Sequence, residues 1–236
     1  MDLDLSALEE MYAYPPIRQP WIRTNFVSTL DGAAFASDGL SGSLGGPADT
    51  RVFALLRSLA DVILVGAGTA RAEGYQPIKH EEIDAELRLR LGLKPIPPIA
   101  VVSLSLDVPA DMVAPGQIVI TTEDAPHLRV EALRQQVDVI AAGHGKINWI
   151  EVKSQLAARG MNRVLCEGGP SLHGCLIAAD LVDELCLSIA PVMAAGTAPR
   201  IGHDLSAVEN AMTLDRVLQV DNLLLTRWVR KRSSSD

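Results

Sequence analysis

The sequence predicts an α/β protein with three layers: a mostly parallel central sheet, helices on both of its faces, and an antiparallel hairpin near the carboxyl end. Short β-branched runs alternate with helical periodicity along most of the 236 residues. Two of these runs lead directly into a glycine-rich turn and a helix, at residues 60–75 and 163–179. The dipeptide Asp221-Asn222 separates the last two runs, which is typical of a tight hairpin.

The amino-terminal quarter predicts a short helix, a strand, a loop and a long helix. A capping-box pair near its start predicts a helix over residues 7–13, and residues 21–28 predict the first strand. Residues 37–47 are rich in glycine and serine, which favours a loop. Pro47 suits the first turn of the helix that follows. The core-facing stripe of that helix is predicted to be Val52, Leu55, Leu56 and Leu59.

The remaining elements alternate as a sheet covered on both faces requires. The predicted strands are residues 62–65, 99–102, 117–121, 137–141, 163–166, 185–192, 214–220 and 223–229. One predicted helix begins at Ala70, and the others cover residues 81–94, 128–136, 146–159 and 172–179. No linker divides the chain, which predicts a single domain over residues 1–236, with an amino-terminal extension over 1–20 and a flexible tail over 231–236.

Composition and missing motifs exclude several classes of protein. The formal net charge of −8 argues against binding to nucleic acid or an anionic membrane. Three cysteines without C-x-x-C spacing favour neither disulfides nor zinc and fit a reducing cytoplasm. An acidic amino terminus and the absence of an 18-residue apolar run predict neither a signal peptide nor a membrane span. Scattered histidines predict no metal site, and a G-x-S-x-G hydrolase motif is missing.

The first strand–glycine–helix junction offers an anion site. Gly66 and Gly68 follow a buried strand, Thr69 adds a hydroxyl, and the N–H groups of the next helix favour a negative charge. Arg71 stands where the G-x-G-x-x-G fingerprint has its third glycine, so a standard Rossmann site is not predicted. The pattern alone fits either a phosphate site or a tight turn.

The second junction, from Glu167 to Ser171, also exposes backbone donors. Gly168 and Gly169 precede Pro170 at a predicted helix start, which is the arrangement that a pyrophosphate needs. Glu167 would repel a phosphate. It therefore either faces N–H groups of a ligand or caps the helix.

For two charged residues, the sequence pattern allows either a structural role or a role in the site. Asp31 follows the first strand beside Gly32 and is either a turn-forming residue or an acid of the site. Arg57 lies away from the core stripe of its helix, which favours a solvated arginine over a site residue on the pattern alone.

Several short motifs occur in a fixed order along the chain. They are Ser28-Thr-Leu-Asp-Gly32, Leu55-Leu-Arg57, Asp61-Val-Ile-Leu-Val-Gly-Ala-Gly-Thr69, Ser103 after a strand, Glu167-Gly-Gly-Pro170 and Asp183-Glu-Leu. In this order and spacing, over residues 20–230, the sequence resembles the RibD C-terminal domain family, the reductase half of a bacterial riboflavin-biosynthesis protein.

The resemblance implies a fold, a cofactor and a reaction. The fold is dihydrofolate-reductase-like, the cofactor is NADPH, and the ribose of 5-amino-6-(5-phosphoribosylamino)uracil is reduced to a ribityl chain. A homodimer is implied as well. The paired H-x-E and P-C-x-x-C zinc signature of a deaminase does not occur, which predicts that the deaminase half of such proteins is missing.

The resemblance also implies roles for individual residues. Contacts to NADPH are implied for Gly66, Gly68, Thr69, Glu73, Ser103, Gly168, Gly169, Pro170, Ser171 and Leu172. Contacts to the substrate are implied for Ser41, Arg57, His80 and Glu167, and catalytic roles for Asp31 and Glu167. Chemically, Glu167 can accept hydrogen bonds from a pair of pyrimidine or pterin N–H groups, and Arg57 can hold an anionic group.

Three positions depart from the family pattern. Ser43 replaces an aromatic residue, Glu73 an aspartate and His80 an arginine. A histidine loses its charge near pH 6.5 whereas an arginine stays charged, so a phosphate contact at His80 would depend on pH.

Ser103 favours NADPH over NADH, because NAD enzymes commonly carry an acid after such a strand, where it would repel a 2′-phosphate. Two alternatives to the implied reaction stay open. The protein could reduce a pterin such as dihydrofolate, or it could bind a dinucleotide without catalysis.

Overall fold

The computed structural model describes residues 5–17, 19–203 and 207–231. Its strands are β1 Trp21–Ser28, β2 Val62–Gly66, β3 Ile99–Val102, β4 Ile118–Thr121, β5 Asp138–Ala141, β6 Arg163–Cys166, β7 Glu184–Ile189, β8 Met212–Val220 and β9 Leu223–Arg230. Its α-helices are α1 Leu5–Tyr12, α2 Gly42–Leu59, α3 Ala67–Ala72, α4 Ala85–Arg90, α5 His127–Arg134, α6 Trp149–Ala158 and α7 Pro170–Ala178. Short 3₁₀ turns span His80–Glu82 and Ala110–Met112.

The strands follow the order β5-β4-β3-β2-β6-β1-β7-β9-β8 in a nine-stranded sheet. The recorded pairings from β2 to β5, and between β1 and β7, are parallel. The pairings of β9 with β7 and with β8 are antiparallel. The predicted fold class, a mostly parallel sheet that ends in an antiparallel hairpin, is therefore confirmed.

The described residues divide into two compact units. The first unit comprises the described parts of residues 1–15, 21–56 and 166–236, and the second comprises the described parts of 16–20 and 57–165. The single domain expected over residues 1–236 stays a prediction. Of the predicted flexible tail over 231–236, all but Lys231 lies outside the described residues.

The core of the second unit is aliphatic. Every side chain of β4 is buried, which requires cover on both faces of the sheet. Helix α3 packs against β2 and β3, while α5 and α6 pack against β5. The β-branched runs of the sequence form these strands because their side chains fit a pleated surface that is buried on both sides.

The first unit contains a buried ion cluster on β1, β7 and β9. Arg23 Nε lies 2.8 Å from Glu184 Oε1, and both side chains are fully buried. Arg227 Nε lies 2.8 Å from the same oxygen. Burial alone would raise the pKa of Glu184, but the two guanidinium groups outweigh it and lower that pKa. The carboxylate therefore stays charged inside the unit.

The stretch predicted to be a loop, residues 37–47, is partly helical. Helix α2 begins at Gly42, and its first turn is separated from the rest by Gly46, whose φ of 67° and ψ of −170° are not helical. Glycine tolerates this positive φ without a Cβ clash. From Pro47 onward the helix runs as predicted, and all four residues of its predicted core stripe are buried.

The segment predicted as one surface helix over residues 81–94 is instead a 3₁₀ turn followed by the short helix α4. Arg88 in α4 is only 1% exposed. Its Nη1 donates to the carbonyl oxygens of Arg57, Ser58 and Ala60, at 3.2, 3.0 and 2.8 Å. These carbonyls lie at the carboxyl end of α2, where helices leave acceptors without internal partners. The charged segment is therefore bound to α2 through this arginine.

Candidate active site

In the second unit, the carboxyl ends of β2 and β3 lie side by side. Gly66 pairs with Val102 in the parallel register, and Ser103 follows directly. Ser103 is buried and donates its backbone N–H to Ile120 O, 2.9 Å away. Gly66 is the N-cap of α3 and has no side chain to satisfy the first N–H groups of the helix. The structure thus brings the glycine turn and Ser103 together at the carboxyl ends of these parallel strands.

The glycine turn itself continues straight into helix. Gly68 and Thr69 lie in the first turn of α3, and Glu73 is the C-cap of the helix. A Cβ at Gly68 would meet no heavy atom of the described residues within 4 Å, apart from its chain neighbours and the backbone of its own helix. The backbone at Gly68 is therefore open to close approach by a ligand.

Two arginines contact the loop that follows Ser103. The sequence did not predict either contact. Arg71 Nη1 lies 3.0 Å from Asp107 Oδ2 and donates to Asp107 O at 2.7 Å. Arg129 Nη2 donates to Leu106 O at 3.4 Å. The Ser103 hydroxyl itself lies 3.5 Å from Asp107 O. The loop is held by cationic side chains that come from α3 and α5.

Arg57 corrects the sequence-based interpretation of a solvated side chain. It is 8% exposed, its Nη1 lies 3.1 Å from Glu82 Oε2, and its guanidinium carbon lies 5.5 Å from the centre of the Tyr75 ring. The helical pattern failed here because Arg57 lies at the end of α2, where residues far along the chain cover it. His80 is exposed in the 3₁₀ turn that also carries Glu82.

In the first unit, Asp31 holds a loop that lies far along the chain. Its carboxylate accepts the hydroxyl of Thr29 and the backbone N–H groups of Ala194 and Ala195, the last two at 3.1 and 2.7 Å. These hydrogen bonds, with that of Thr29 the strongest contributor, lower the pKa of Asp31 to about 2. These hydrogen bonds anchor the 194–195 loop, and the turn-forming and site-acid interpretations of Asp31 both stay predictions.

The second glycine junction also belongs to the first unit. Glu167 is buried and directly follows β6, and the peptide bond between Gly168 and Gly169 is cis. Gly168 has a φ of 100°, and a Cβ there would lie 3.1 Å from Phe26 Cε1. Gly169 is the N-cap of α7, and Pro170 is its first residue. Only glycine fits at position 168 without strain or displacement of Phe26.

The neighbours of this junction differ in exposure. Ser171 is exposed in the first turn of α7, whereas Leu172 is buried. Pro170 O accepts the backbone N–H of His203 at 3.0 Å. Ser41 is half-buried just before α2, and its carbonyl accepts the N–H of Leu44 at 3.0 Å.

Sequence reasoning did not single out His173. Its ring stacks on Phe26 with centroids 4.4 Å apart, and Nδ1 lies 2.9 Å from Ile201 O. A carbonyl only accepts, so Nδ1 carries the proton. Burial lowers the pKa of His173 to about 4. The ring is therefore neutral at physiological pH and connects α7, β1 and the segment around Ile201.

The residues with predicted site roles are distributed over both units. In the second unit Gly66, Gly68, Thr69 and Ser103 share one edge of the sheet, and Arg57 contacts the turn that carries His80. In the first unit Gly168 lies against Phe26 while Asp31 binds the 194–195 loop. Across the described ranges, no group of three or more His, Cys, Asp or Glu side chains is arranged to bind a metal ion, and no helix there is long and apolar enough to cross a membrane.

Comparison with known proteins gives consistent matches. The family model of the RibD C-terminal domain matches residues 20–226. The chain is 28% identical over 203 residues to the 2,5-diamino-6-ribosylamino-4(3H)-pyrimidinone 5′-phosphate reductase of Methanothermobacter thermautotrophicus. The aligned region covers 84% of this chain and 91% of that protein. It is 25% identical over 218 residues to the riboflavin biosynthesis protein RibD of Mycobacterium tuberculosis, covering 87% of this chain but 55% of that protein.

A solved structure agrees with these relatives. The crystal structure of a pyrimidine reductase-like protein from Corynebacterium diphtheriae superposes with a TM-score of 0.83 at 26% identity, covering 96% of this chain and 99% of that one. The family match spans every residue with a predicted role, from Asp31 to Leu172. The chain belongs to the RibD C-terminal domain family.

Proposed function

We propose that this protein is an NADPH-dependent reductase of riboflavin biosynthesis that acts on a ribosylamino-pyrimidine 5′-phosphate. The observation that carries the proposal is the family match, which spans residues 20–226 and includes both glycine junctions, Arg57 and Glu167. The oxidoreductase names of the relatives that cover most of the chain support the same class of reaction.

The residues at the edge of the second unit fit a dinucleotide. The open backbone at Gly68 and the N-terminal turn of α3, which has no side-chain cap, suit the phosphates, since the helix start favours negative charge. Ser103, which carries no charge, suits a 2′-phosphate better than an acid would. We assign Gly66, Thr69, Glu73 and the junction from Gly168 to Leu172 to the same cofactor on the basis of the family resemblance.

When bound, NADPH would supply a hydride to the ribose carbon, and a proton from solvent or the protein would complete the reduction. The protein contributes position and charge. Glu167, buried and directly before the glycine pair, is assigned to the N–H groups of the pyrimidine. Arg57 is assigned to the substrate phosphate, with Ser41 and His80 as further contacts. Asp31 keeps the catalytic role that the resemblance implies as a carboxylate and not as a proton donor, because hydrogen bonds from Thr29 and the 194–195 loop hold it ionised.

Two pyrimidines are candidates for the substrate. The resemblance implied 5-amino-6-(5-phosphoribosylamino)uracil, whereas the relatives that this chain covers at 91% and 83% of their length are named for 2,5-diamino-6-ribosylamino-4(3H)-pyrimidinone 5′-phosphate. The diamino compound presents an amino group beside a ring N–H, so it offers a carboxylate two adjacent donors. The uracil has two ring N–H groups, one between its two carbonyl groups and one beside the nitrogen that carries the ribose. We assign Glu167 to the ring edge away from the ribose, and on that edge a carboxylate favours the diamino compound.

The deciding experiment is an NADPH-oxidation assay on the purified protein with both pyrimidines and dihydrofolate in parallel. We expect turnover of at least one pyrimidine and a higher kcat/KM for the diamino compound. Turnover of dihydrofolate alone would identify a pterin reductase instead. Binding of NADPH without turnover of any of the three would favour a non-catalytic binding protein.

The cofactor assignment has its own test, because NADPH binding can be followed by fluorescence without substrate. Gly68→Ala is compatible with the helix and meets no neighbouring atom, so the protein should fold normally. We expect it to weaken NADPH binding about tenfold if the cofactor approaches this backbone. Ser103→Asp should weaken binding of NADPH more than that of NADH. If both variants bind NADPH and NADH as the wild type does, the cofactor does not bind at the carboxyl ends of β2 and β3.

We further propose, from the resemblance, that the protein is a homodimer. From its three free cysteines we also propose that it works in a reducing cytoplasm. A monomer by light scattering would contradict the first statement.

A further inference from the structure

Arg57 already has a carboxylate partner inside the second unit. Its Nη1 lies 3.1 Å from Glu82 Oε2. The Arg57 side chain is 10% exposed and that of Glu82 is 39% exposed. The pair is therefore shielded on the arginine side and open to water on the glutamate side.

The turn that carries Glu82 is held in place by contacts that do not involve this ion pair. The N–H of Asp84 donates to the hydroxyl of Ser58 at 2.8 Å, and Arg88 donates to the carbonyls of Arg57 and Ser58. The second oxygen of Glu82 accepts the N–H of Lys79 at 3.4 Å. The contacts of Asp84 and Arg88 do not involve the Glu82 carboxylate, and the amide oxygen of a glutamine can still accept the N–H of Lys79. Removal of the carboxylate charge should therefore leave the turn in place.

A phosphate monoester that approaches Arg57 meets this carboxylate. Arg57 carries one positive charge, which Glu82 already balances. The incoming phosphate either displaces Glu82 from Nη1 or binds beside it, and the second arrangement places like charges within a few ångströms of each other. In both cases Glu82 lowers the affinity for the phosphate.

We propose that Glu82 competes with the substrate phosphate for Arg57 and thereby sets the affinity of the enzyme for phosphorylated ligands. The proposal rests on the assignment of Arg57 to the substrate phosphate made above. Its consequence is a weaker contribution of the phosphate to binding. A small phosphorylated metabolite therefore needs a higher concentration to occupy the site, whereas a substrate that also binds through its heterocycle can still displace Glu82. Glu82 is thus an affinity-setting residue that the sequence motifs did not include.

The test measures binding of ribose 5-phosphate to the intact protein by titration calorimetry. Glu82→Gln keeps the size of the side chain and removes its charge. We expect its dissociation constant to fall about fivefold, which corresponds to an ion pair worth about 1 kcal/mol. Glu81→Gln is the matched control, since it removes the same charge from an exposed neighbour in the same turn and should leave the dissociation constant unchanged.

Two further variants keep the outcome interpretable. Glu82→Asp retains the charge on a shorter side chain and should give an intermediate affinity even if the amide variant folds poorly. The double variant Arg57→Ala with Glu82→Gln should not bind ribose 5-phosphate more tightly than Arg57→Ala alone, because the increase in affinity requires the arginine. Equal strengthening by the two Gln variants, or none by Glu82→Gln, would overturn the proposal.

The proposal and the reductase function fail in different ways. If ribose 5-phosphate binds Arg57→Ala as tightly as the wild type, the phosphate is not at Arg57 and the competition proposal is wrong. The reductase function would still hold in that case if the wild-type protein oxidises NADPH with a pyrimidine substrate. If the competition holds, Glu82→Gln should also lower the KM for the phosphorylated pyrimidine and leave that for its dephosphorylated riboside unchanged.

Discussion

His173 is a buried histidine whose surroundings hold it in the neutral form. It stacks on Phe26 and donates to Ile201 O, and burial lowers its pKa to about 4. A histidine in an unfolded chain has a pKa near 6.5. Between these two pH values the unfolded chain binds a proton that the folded protein does not, so the free energy of unfolding falls as the pH decreases.

We expect this group to remove about 3 kcal/mol of stability as the pH falls from 7 to 4. The measurement is urea unfolding of the wild type and of His173→Gln at several pH values. The variant should be less stable at pH 7, because it loses the stacked ring, and its deficit should shrink towards pH 4. Parallel pH profiles for the two proteins would contradict the assignment.

The carboxylate of Asp31 is predicted to hold the 194–195 loop in place. Its pKa of about 2 keeps the carboxylate ionised above pH 4, so its contribution to the loop is present there and is lost only as the pH falls towards 2. We expect Asp31→Ala to speed hydrogen exchange at the amides of Ala194 and Ala195 while the β1–β7 pairing stays protected. If Asp31→Asn leaves these amides protected and lowers kcat a hundredfold or more, Asp31 has a catalytic role.

At the scale of elements, Arg88 makes several of the hydrogen bonds that join the segment from the 3₁₀ turn to α4 with the end of α2. Arg88 binds three carbonyl oxygens at the end of α2, and its Nε donates to Lys94 O at 2.7 Å. A lone buried guanidinium is costly, and this one is compensated by four backbone acceptors.

Replacement of Arg88 should destabilise the protein strongly. Arg88→Met has a similar volume but leaves these acceptors unsatisfied, so we expect a loss of about 3 kcal/mol in the free energy of unfolding. Leu89→Gln is the control: its side chain lies in the same helix, is 82% exposed and should change stability by less than about 0.5 kcal/mol. The measurement is chemical denaturation. If Arg88→Met and Leu89→Gln lower the free energy of unfolding equally, the hydrogen bonds of Arg88 to the end of α2 do not stabilise the protein.

At the scale of the whole molecule, β8 is a long edge strand. It is last in the strand order and carries the exposed apolar side chains Leu214 and Val217, which are 46% and 56% exposed. Apolar edge strands are surfaces on which a second chain can pair. They are therefore suited to the homodimer that we propose.

We expect Val217→Glu to raise the monomer fraction in light scattering at micromolar concentration, because a charge on the edge opposes pairing. Val208→Glu places the same charge on a side chain of similar exposure, 44%, outside the strands, and should leave the assembly unchanged. A dimer that is insensitive to Val217→Glu would place the interface elsewhere.

The sequence by itself determined most of the elements and the two glycine junctions. Runs such as Val62–Val65 and Arg163–Cys166 are strands because β-branched and aliphatic side chains favour buried pleated surfaces, and glycine next to a strand end permits the turn into a helix. These are local preferences. They can be read without knowledge of the partners, and they also located Gly66, Gly68, Ser103 and Gly168 at the ends of strands.

Only the tertiary structure decided which side chains meet. Asp31 binds amides that lie 163 and 164 residues further along the chain, and Arg57 pairs with Glu82 across 25 residues. Arg88, predicted to lie on the surface, is buried because the end of α2 needs hydrogen-bond donors. No periodic pattern encodes such contacts, since they depend on which strands become neighbours in the sheet. The sequence therefore identified the elements that carry the site, and the fold determined the charge and hydrogen-bond partners of each side chain.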